Sequence, residues 1–165
     1  VVCKPAAPLC LTCAQKKNCV AFLQNKVDKL PVKEKKISIK KRFFYYIIFE
    51  YKNKVAIRQR AGKDIWQQLF EFMLIEKNKE TGYKQLLKKA LPEGLLIKNE
   101  YEVKSVSPVI KQQLSHQLIT GRFITIAVKQ KPKITEQMKW VSKSLLKKYA
   151  FPQFINQYLS IDNGQ

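Results

Sequence analysis

The chain has few of the residues on which most catalytic schemes depend. All four cysteines lie within its first 19 residues, so none remains as a nucleophile in the rest of the chain. His116 is the only histidine, and no acidic residue lies near it in sequence to orient it as a base. The five glycines form no phosphate-binding loop. These absences argue against nucleophilic catalysis and against a glycine-rich nucleotide site.

Long apolar runs are also missing. No run approaches the roughly 18 residues of a membrane span, and no signal-peptide pattern opens the chain. Hydrophobic residues still make up 45% of the sequence, which is enough for the core of one domain. The first residue is Val1 and not Met, and the cysteines follow at once, so we expect a fragment of a longer protein.

Negative charge is scarce. Twelve Asp and Glu stand against 32 Lys and Arg, which gives a formal net charge of +20. This excess favours a polyanionic partner, first nucleic acid and second an acidic membrane surface. The alternative interpretation is a solvated basic surface in a lysine-rich proteome.

The four cysteines are close enough in sequence to bind one centre. Their spacings are six, two and five residues, at Cys3, Cys10, Cys13 and Cys19. Disulfides are disfavoured because the lysine-rich chain has no secretion signal. Four thiolates can instead bind a tetrahedral zinc ion or an iron–sulfur cluster. The spacing contains one C-x2-C knuckle where zinc sites usually have two, and it also differs from ferredoxin spacings, so the residues alone leave both centres open.

The next part of the chain changes from polar to apolar. Residues 24–42 are rich in lysine and poor in large apolar residues, which predicts a solvated linker. Phe43–Tyr51 and Lys54–Arg60 predict an antiparallel hairpin around a short polar turn. Residues 61–76 begin as a loop and end as a strand.

The remaining elements complete a mixed domain. Thr81–Leu91 has leucines on one face and predicts a short amphipathic helix. Tyr101–Val106 and most of residues 113–130 predict strands, the second with a bend at Gly121. Residues 140–159 predict helix on both sides of a Phe-Pro pair. The order of elements predicts an α+β domain with a mixed, antiparallel-rich sheet and flanking helices.

Four short motifs follow one another along the chain. They are the spacing C-x6-C-x2-C-x5-C, IWQQLFEF (Ile65–Phe72), LSH (Leu114–His116) and WVSKSLLKKYAFP (Trp140–Pro152). The first resembles the 4Fe–4S loop of the helix-hairpin-helix DNA glycosylases. The others resemble the I-W-x-x-L-W-E-F, F-S-H and W-V-x-x-x-x-L-x-x-Y-A-F-P motifs of the MutY C-terminal domain, with Gln67 and Gln68 where relatives carry glycine. The chain therefore resembles the C-terminal portion of a MutY-type adenine DNA glycosylase.

The resemblance implies three parts. They are an iron–sulfur loop that ends a catalytic helical domain (1–23), a basic interdomain linker (24–42) and a Nudix-like domain for DNA and 8-oxoguanine recognition (43–162). It also implies that the four cysteines bind a 4Fe–4S cluster in the parent protein, a cluster that the fragment can lose. The catalytic residues of the parent, an adenine-specific N-glycosylase, would lie upstream, so the chain alone is expected to be inactive.

A Nudix-like fold raises a second function, the hydrolysis of oxidised nucleotides. That reaction needs Mg²⁺ held by several carboxylates on one helix. The corresponding segment, Thr81–Leu91, has no acidic residue and carries Lys84, Lys88 and Lys89. Hydrolysis is therefore not expected. Another alternative is a zinc-stabilised basic module that binds nucleic acid without catalysis.

The resemblance gives the LSH motif the role of recognising 8-oxoguanine. Ser115 would read the lesion, His116 would support the loop or contact a phosphate, and Leu114 would pack against bases. Oxidation gives the base a carbonyl at C8 and turns N7 from an acceptor into a donor. A hydroxyl both donates and accepts hydrogen bonds, so a serine can match this altered edge.

Basic residues near these motifs are candidate contacts to DNA phosphates: Lys4, Arg58, Arg60 and Lys63. The expected partner is double-stranded DNA that contains 8-oxoguanine paired with adenine, and no membrane is expected to take part. The protein is expected to be a monomer and, by resemblance, to act in the bacterial cytoplasm at the nucleoid.

Overall fold

The computed structural model describes residues 2–4, 7–30, 38–90, 96 and 100–162. The chain divides into two compact units, Val1–Ser38 and Ile39–Gln165. In the first unit the described residues form one short helix, α1, and three 3-10 turns. Their bounds are Val20–Leu23 for α1 and Cys10–Thr12, Lys16–Asn18 and Val27–Lys29 for the turns.

The second unit contains eight described strands and two described helices. The strands are β1 (Lys40–Tyr51), β2 (Lys54–Gln59), β3 (Phe70–Glu71), β4 (Met73–Lys77), β5 (Tyr101–Val106), β6 (Ile110–Gln113), β7 (Gln117–Val128) and β8 (Lys139–Ser142). The helices are α2 (Tyr83–Ala90) and α3 (Gln153–Asp162), with 3-10 segments at Lys133–Thr135 and Lys143–Lys148. Among the described helices, none is both long and apolar enough to cross a membrane.

Strands β1 and β7 form the centre of the sheet. They run parallel, with Lys40 opposite Gln117 at one end and Glu50 opposite Ala127 at the other. The other pairs are antiparallel: β2 and β4 flank β1, β5 and β6 flank β7, and β3 and β8 pair with β2. This confirms the predicted α+β class with a mixed, antiparallel-rich sheet.

Strand β1 is apolar without interruption from Phe43 to Phe49 because the sheet is covered on both faces there. Successive residues of a strand point to opposite faces. Phe44 and Tyr46 therefore pack into a core with α3, while Tyr45 and Ile47 pack into a second core that includes Leu86 of α2. Both helices lie over the sheet with their apolar side chains facing it.

The first strand begins at Lys40, three residues before its predicted start at Phe43. This corrects the predicted extent of the linker, residues 24–42, of which residues 31–37 lie outside the described part. Arg42 is buried instead of solvated. It lies two residues before Phe44 and points to the same face, which is the side of the sheet covered by α3.

Gly121 does not bend β7, contrary to the prediction. The pairing of β7 with β1 runs through Gly121 without a shift, and the pairing of β7 with β6 ends at Gly121. A Cβ atom at this position would lie 2.1 Å from the carbonyl oxygen of Phe44. Glycine is needed because the backbones of β1 and β7 approach so closely that no side chain fits.

The other predicted elements are confirmed with one exception. The β1–β2 hairpin forms around Lys52 and Asn53, both at positive φ, as two-residue hairpin turns require. The predicted helix is α2, although its predicted last residue, Leu91, lies outside the described part. The exception is the helix predicted before the Phe-Pro pair, because residues 139–142 form β8 and pair with β2, and Lys143–Lys148 form a 3-10 segment. The helix predicted after the Phe-Pro pair is confirmed as α3.

Candidate functional site

The predicted LSH motif forms the tip of the β6–β7 hairpin. The backbone N–H of Leu114 donates to the carbonyl oxygen of Gln117 (2.8 Å), and the side-chain amide of Gln113 donates to the carbonyl oxygen of Leu114 (2.6 Å). Leu114 is half-buried and packs against the core on the α3 side, so its contact with bases stays a prediction. Ser115 and His116 are exposed. The tip is therefore fixed at its base and open to solvent at its end.

Strand β1 holds the tip from the other side. The backbone N–H of Lys40 donates to the carbonyl oxygen of His116 (2.9 Å), and Nη1 of Arg42 donates to Oε1 of Gln117 (3.1 Å). Within the described part of the chain, the hydroxyl of Ser115 and the imidazole of His116 form no hydrogen bond. These two side chains are available to a bound molecule while their backbone is held in place.

Arg42 joins the hairpin tip to two carboxylates. Its Nε and Nη2 donate to Glu76 (2.6 and 2.7 Å), and its Nη1 and Nη2 donate to Asp64 (2.9 and 2.7 Å). Hydrogen bonds to Glu76 and then to Asp64 raise the pKa of Arg42, while the hydrogen bond from Arg42 lowers the pKa of Asp64 to about 2. The side chain of Arg42 is 8% exposed. It is a fixed internal support for Gln117 and not a contact for DNA.

The ion pairs continue away from the tip. Asp64 also pairs with Arg60 (3.3 Å), Arg60 with Glu71, and Glu71 with Arg58 (2.9 Å). The side chain of Arg60 is 10% exposed, and its Nη1 and Nη2 pair with Glu71 and Asp64, so little of it is open to a phosphate. Its Nε is buried without a hydrogen-bond partner among the described residues, and its role as a phosphate contact stays a prediction. Arg58 is 42% exposed and Lys63 is exposed, so the prediction for these two stays open.

Neither Arg42 nor Gln117 is evident as a site residue from composition or motifs. The available signal is the alternation of β1, because Arg42 is two residues from the buried Phe44. An arginine on the inward face of a strand must find carboxylate or carbonyl partners, since an unpaired buried charge is costly. The partners themselves come from distant parts of the sequence and need the fold to be identified.

The four cysteines all lie in the first unit as free thiols. Cys3 is exposed, and Cys10, Cys13 and Cys19 are half-buried. Desolvation, and then the nearby thiols of Cys19, Cys3 and Cys13, raise the pKa of Cys10. In the described residues no group of three or more His, Cys, Asp or Glu is arranged to hold a metal ion. A set of four sulfur ligands fits an iron–sulfur cluster or zinc, and the segment would have to draw closer around either.

Helix α2 offers no carboxylate ligands. It contains no acidic residue, and Lys84, Lys88 and Lys89 are exposed, while Leu86 and Leu87 are buried against the sheet. Mg²⁺ is bound through oxygen atoms, mainly those of carboxylates. The helix therefore presents a basic surface and no metal site.

A groove of about 840 Å³ opens between the sheet, the 3-10 segment Lys143–Lys148 and α3. Glu50 is the one acidic residue in its described lining. The carboxylate of Glu50 pairs with Lys143 (2.9 Å) and Lys104 (3.9 Å). This groove likewise has no group of carboxylates for Mg²⁺.

A family model for the NUDIX domain matches residues 44–160. The chain belongs to the NUDIX domain family. Among solved structures, this NUDIX domain resembles the C-terminal domain of mouse MUTYH, which was crystallised in complex with human PCNA. The TM-score is 0.54 at 14% identity, covering 74% of this chain and 88% of the other. At this identity the likeness shows the fold alone, and it confirms the predicted Nudix-like fold.

Curated relatives of the chain are adenine DNA glycosylases. The one from Buchnera aphidicola subsp. Acyrthosiphon pisum (strain APS) is 31% identical over 81 residues, which cover 49% of this chain and 23% of the relative. The one from subsp. Baizongia pistaciae (strain Bp) is 28% identical over 120 residues, which cover 70% of this chain and 31% of the relative. The chain thus spans less than a third of either relative. These matches confirm the predicted resemblance to MutY-type adenine glycosylases.

Proposed function

We propose that this NUDIX domain is the lesion-recognition part of an adenine DNA glycosylase and that it distinguishes 8-oxoguanine from guanine opposite adenine. The observation that carries the proposal is the β6–β7 tip, where Ser115 and His116 are exposed on a backbone held by β1. The enzyme class comes from the names of the curated relatives. The assignment of 8-oxoguanine as the recognised base rests on the resemblance of the LSH motif to the MutY C-terminal domain.

The hydrogen-bonding groups at the tip match the edge of the oxidised base. The hydroxyl of Ser115 and the backbone N–H groups of Ser115 and His116 are unengaged in the described part of the chain. A backbone N–H can donate to the C8 carbonyl, and the serine hydroxyl can accept from N7–H. Guanine offers no acceptor at C8 and a lone pair at N7. One mismatched hydrogen bond costs about 1–3 kcal/mol, which corresponds to roughly 5- to 150-fold in affinity.

The double substitution Ser115→Ala with His116→Ala tests this role. Binding of the chain would be measured by fluorescence anisotropy with two duplexes that contain 8-oxoguanine or guanine opposite adenine. We expect the wild type to prefer the lesion by at least about fivefold and the variant to lose that preference. The control is Ser105→Ala, which removes an exposed serine from β5. If the double variant keeps the full preference, in binding and in excision by the complete enzyme, the proposal is wrong.

The chain itself is proposed to have no excision activity. By resemblance, the glycosylase protonates adenine with acidic residues of its helical domain and not of its NUDIX domain. Hydrolysis of oxidised nucleotides is likewise not proposed, because neither α2 nor the groove beside Glu50 groups carboxylates for Mg²⁺. Release of adenine from a duplex by the 165-residue chain would contradict the proposed lack of excision activity.

The four cysteines are proposed to bind a 4Fe–4S cluster in the complete protein. The supporting observations are the sulfur-only donor set and the position of all four free thiols within 17 residues of the first unit. The cluster would tie the segment together through four Fe–S bonds. A brown protein that absorbs near 400 nm and contains iron and sulfide is expected from the complete enzyme. Stoichiometric zinc without iron would instead favour the alternative, a zinc-stabilised nucleic-acid-binding module.

A further inference from the structure

Strand register aligns lysines from different strands at the end of the sheet where the β6–β7 tip lies, which we call the tip end. Lys111 of β6 lies opposite Thr120 of β7, Thr120 lies opposite Phe43 of β1, and Phe43 lies opposite Lys77 of β4. Residues paired in this way point to the same face. Lys111 and Lys77 therefore share a face and lie three strand spacings apart, about 14 Å.

Lys41 lies on the same face and closer to the tip. It precedes Phe43 by two residues, which is about 7 Å along β1. It lies opposite Leu118 of β7, and Leu118 lies opposite Gln113, the last residue before the LSH motif. Lys41, Lys77 and Lys111 thus form a triangle beside the tip, which we name the lysine triangle.

The charge of the lysine triangle is not neutralised. Lys41 and Lys111 are exposed and Lys77 is half-buried, and none of the three forms an ion pair within the described ranges. Arg42 and Glu76, which are next to Lys41 and Lys77 in sequence, point to the opposite face and form an ion pair with each other. At this end of the sheet Arg42 is therefore paired on the α3 side, while Lys41, Lys77 and Lys111 are free of ion pairs on the α2 side.

We propose that the lysine triangle is a docking surface for the phosphate backbone of duplex DNA whose base edge is read at the tip. The identity of that DNA rests on the proposed function. Duplex DNA carries one charge per about 1.7 Å of its axis, so a triangle 14 Å wide spans several phosphates. Phosphate contacts fix the position of a protein on the duplex and carry no base information. The triangle places the duplex, and Ser115 tests the base.

The test is the triple variant Lys41→Gln, Lys77→Gln and Lys111→Gln. Its affinity for the lesion-containing and undamaged duplexes is measured between about 50 and 200 mM KCl, a range over which phosphate contacts change affinity strongly. Each phosphate contact contributes about 0.9 to the slope of log affinity against log salt, so the slope becomes shallower by about 2.7. Both duplexes are weakened equally, because phosphates carry no lesion information.

The control removes the same charge from the other end of β1 and β7. It is the variant Lys54→Gln, Lys129→Gln and Lys133→Gln, three exposed lysines at or beyond the strand ends farthest from the tip. Circular dichroism and thermal unfolding show whether each variant is folded. If the half-buried Lys77 proves necessary for folding, the double variant of Lys41 and Lys111 is used, and its slope becomes shallower by about 1.8.

The outcomes separate this inference from the proposed function. An unchanged slope in the triangle variant, or an equal change in the control variant, overturns the lysine triangle even if the wild type prefers the lesion. A shallower slope in the triangle variant alone supports it. If that result occurs while the wild type binds both duplexes equally, the triangle stands and the proposed recognition of 8-oxoguanine fails.

Discussion

Replacing Arg42 by methionine tests how much the buried ion pairs contribute to the domain and to its tip. Methionine keeps most of the side-chain length and removes the donors to Asp64, Glu76 and Gln117. Breaking a fully buried ion pair costs about 3–5 kcal/mol. The two carboxylates are 38% and 36% exposed, so water stabilises them in part. We therefore expect the free energy of unfolding to fall by about 2 kcal/mol at pH 7.

The same substitution changes the response to acid. Arg42 lowers the folded-state pKa of Asp64 to about 2 from an ordinary 3.8. A lowered pKa means that this contact stabilises the protein fully above about pH 4 and that the stabilisation is lost as the pH falls towards 2. The full value is roughly 2 kcal/mol, and screening of the exposed carboxylate reduces it to about 1 kcal/mol. In the Arg42→Met variant this part of the acid destabilisation disappears.

Urea unfolding followed by tryptophan fluorescence at about pH 7, pH 4 and pH 2.5 measures both effects, since most of the stabilisation from Asp64 is lost between about pH 4 and pH 2.5. The matched control is Arg122→Met. Arg122 is half-buried on β7, and in the described part it donates to the carbonyl oxygen of Ser107 (3.1 Å) and to no carboxylate. Its loss should cost less and leave the acid response unchanged. An Arg42→Met protein within about 0.5 kcal/mol of wild type at pH 7, or with unaltered acid sensitivity, would refute the reasoning.

Two further predictions concern β1 and its neighbours. Gly121→Ala places a Cβ atom 2.1 Å from the carbonyl oxygen of Phe44 and should therefore lower the free energy of unfolding by about 3 kcal/mol. Urea unfolding measures this loss, and a loss below about 1 kcal/mol would contradict the close approach of the two backbones. Tyr46→Phe removes a buried hydroxyl without a partner among the described residues and should stabilise by up to about 1 kcal/mol. Tyr45→Phe, its control on the opposite face, loses the hydrogen bond from the N–H of Thr81 (2.6 Å) and should destabilise by about 1 kcal/mol. Equal effects of the two tyrosine variants in thermal unfolding would contradict this distinction.

Local patterns predict most elements of the fold. The β1–β2 hairpin, α2 and β5 follow from alternation, a two-residue turn and leucine spacing, which depend on neighbouring residues. Strand β8 does not, because residues 139–142 extend by pairing with β2, more than 80 residues earlier in the chain. The start of β1 could not be predicted for another reason. Lys40 and Lys41 continue the lysine-rich composition of the linker, although their backbone already belongs to the strand.

The motif IWQQLFEF shows that a resemblance can report backbone geometry even where residues differ. The MutY motif that this segment resembles has glycine at the positions of Gln67 and Gln68, and Gln68 has a φ of 66°. Only glycine adopts this left-handed region without strain, which explains the preference at that position. Trp66, at a φ of 62°, shares the turn, and its ring packs edge-on against Phe44 (5.9 Å between centroids). Packing of the tryptophan therefore holds a conformation that the glutamine does not favour.

The tip residues could be predicted, but their support could not. Leu114, Ser115 and His116 form a contiguous motif, so a resemblance along the sequence is enough to single them out. The support depends on Arg42 and Gln117, which become neighbours because β1 and β7 run parallel and start at the same end. Parallel pairing leaves no local signal, since the paired strands are separated by most of the domain.

The placement of carboxylates in this domain favours a binding function over the hydrolysis of nucleotides. Asp64, Glu71 and Glu76 are paired with arginines, and Glu50 is paired with lysines, so these four acidic side chains already neutralise cations of the protein. Mg²⁺ would have to displace those partners and leave guanidinium groups unpaired in the core, at a cost of several kcal/mol. Lysines on α2 and in the lysine triangle remain free for an external polyanion. Among the described residues this arrangement leaves no group of carboxylates for a metal and leaves a basic surface, which favours the proposed recognition of DNA over phosphate hydrolysis.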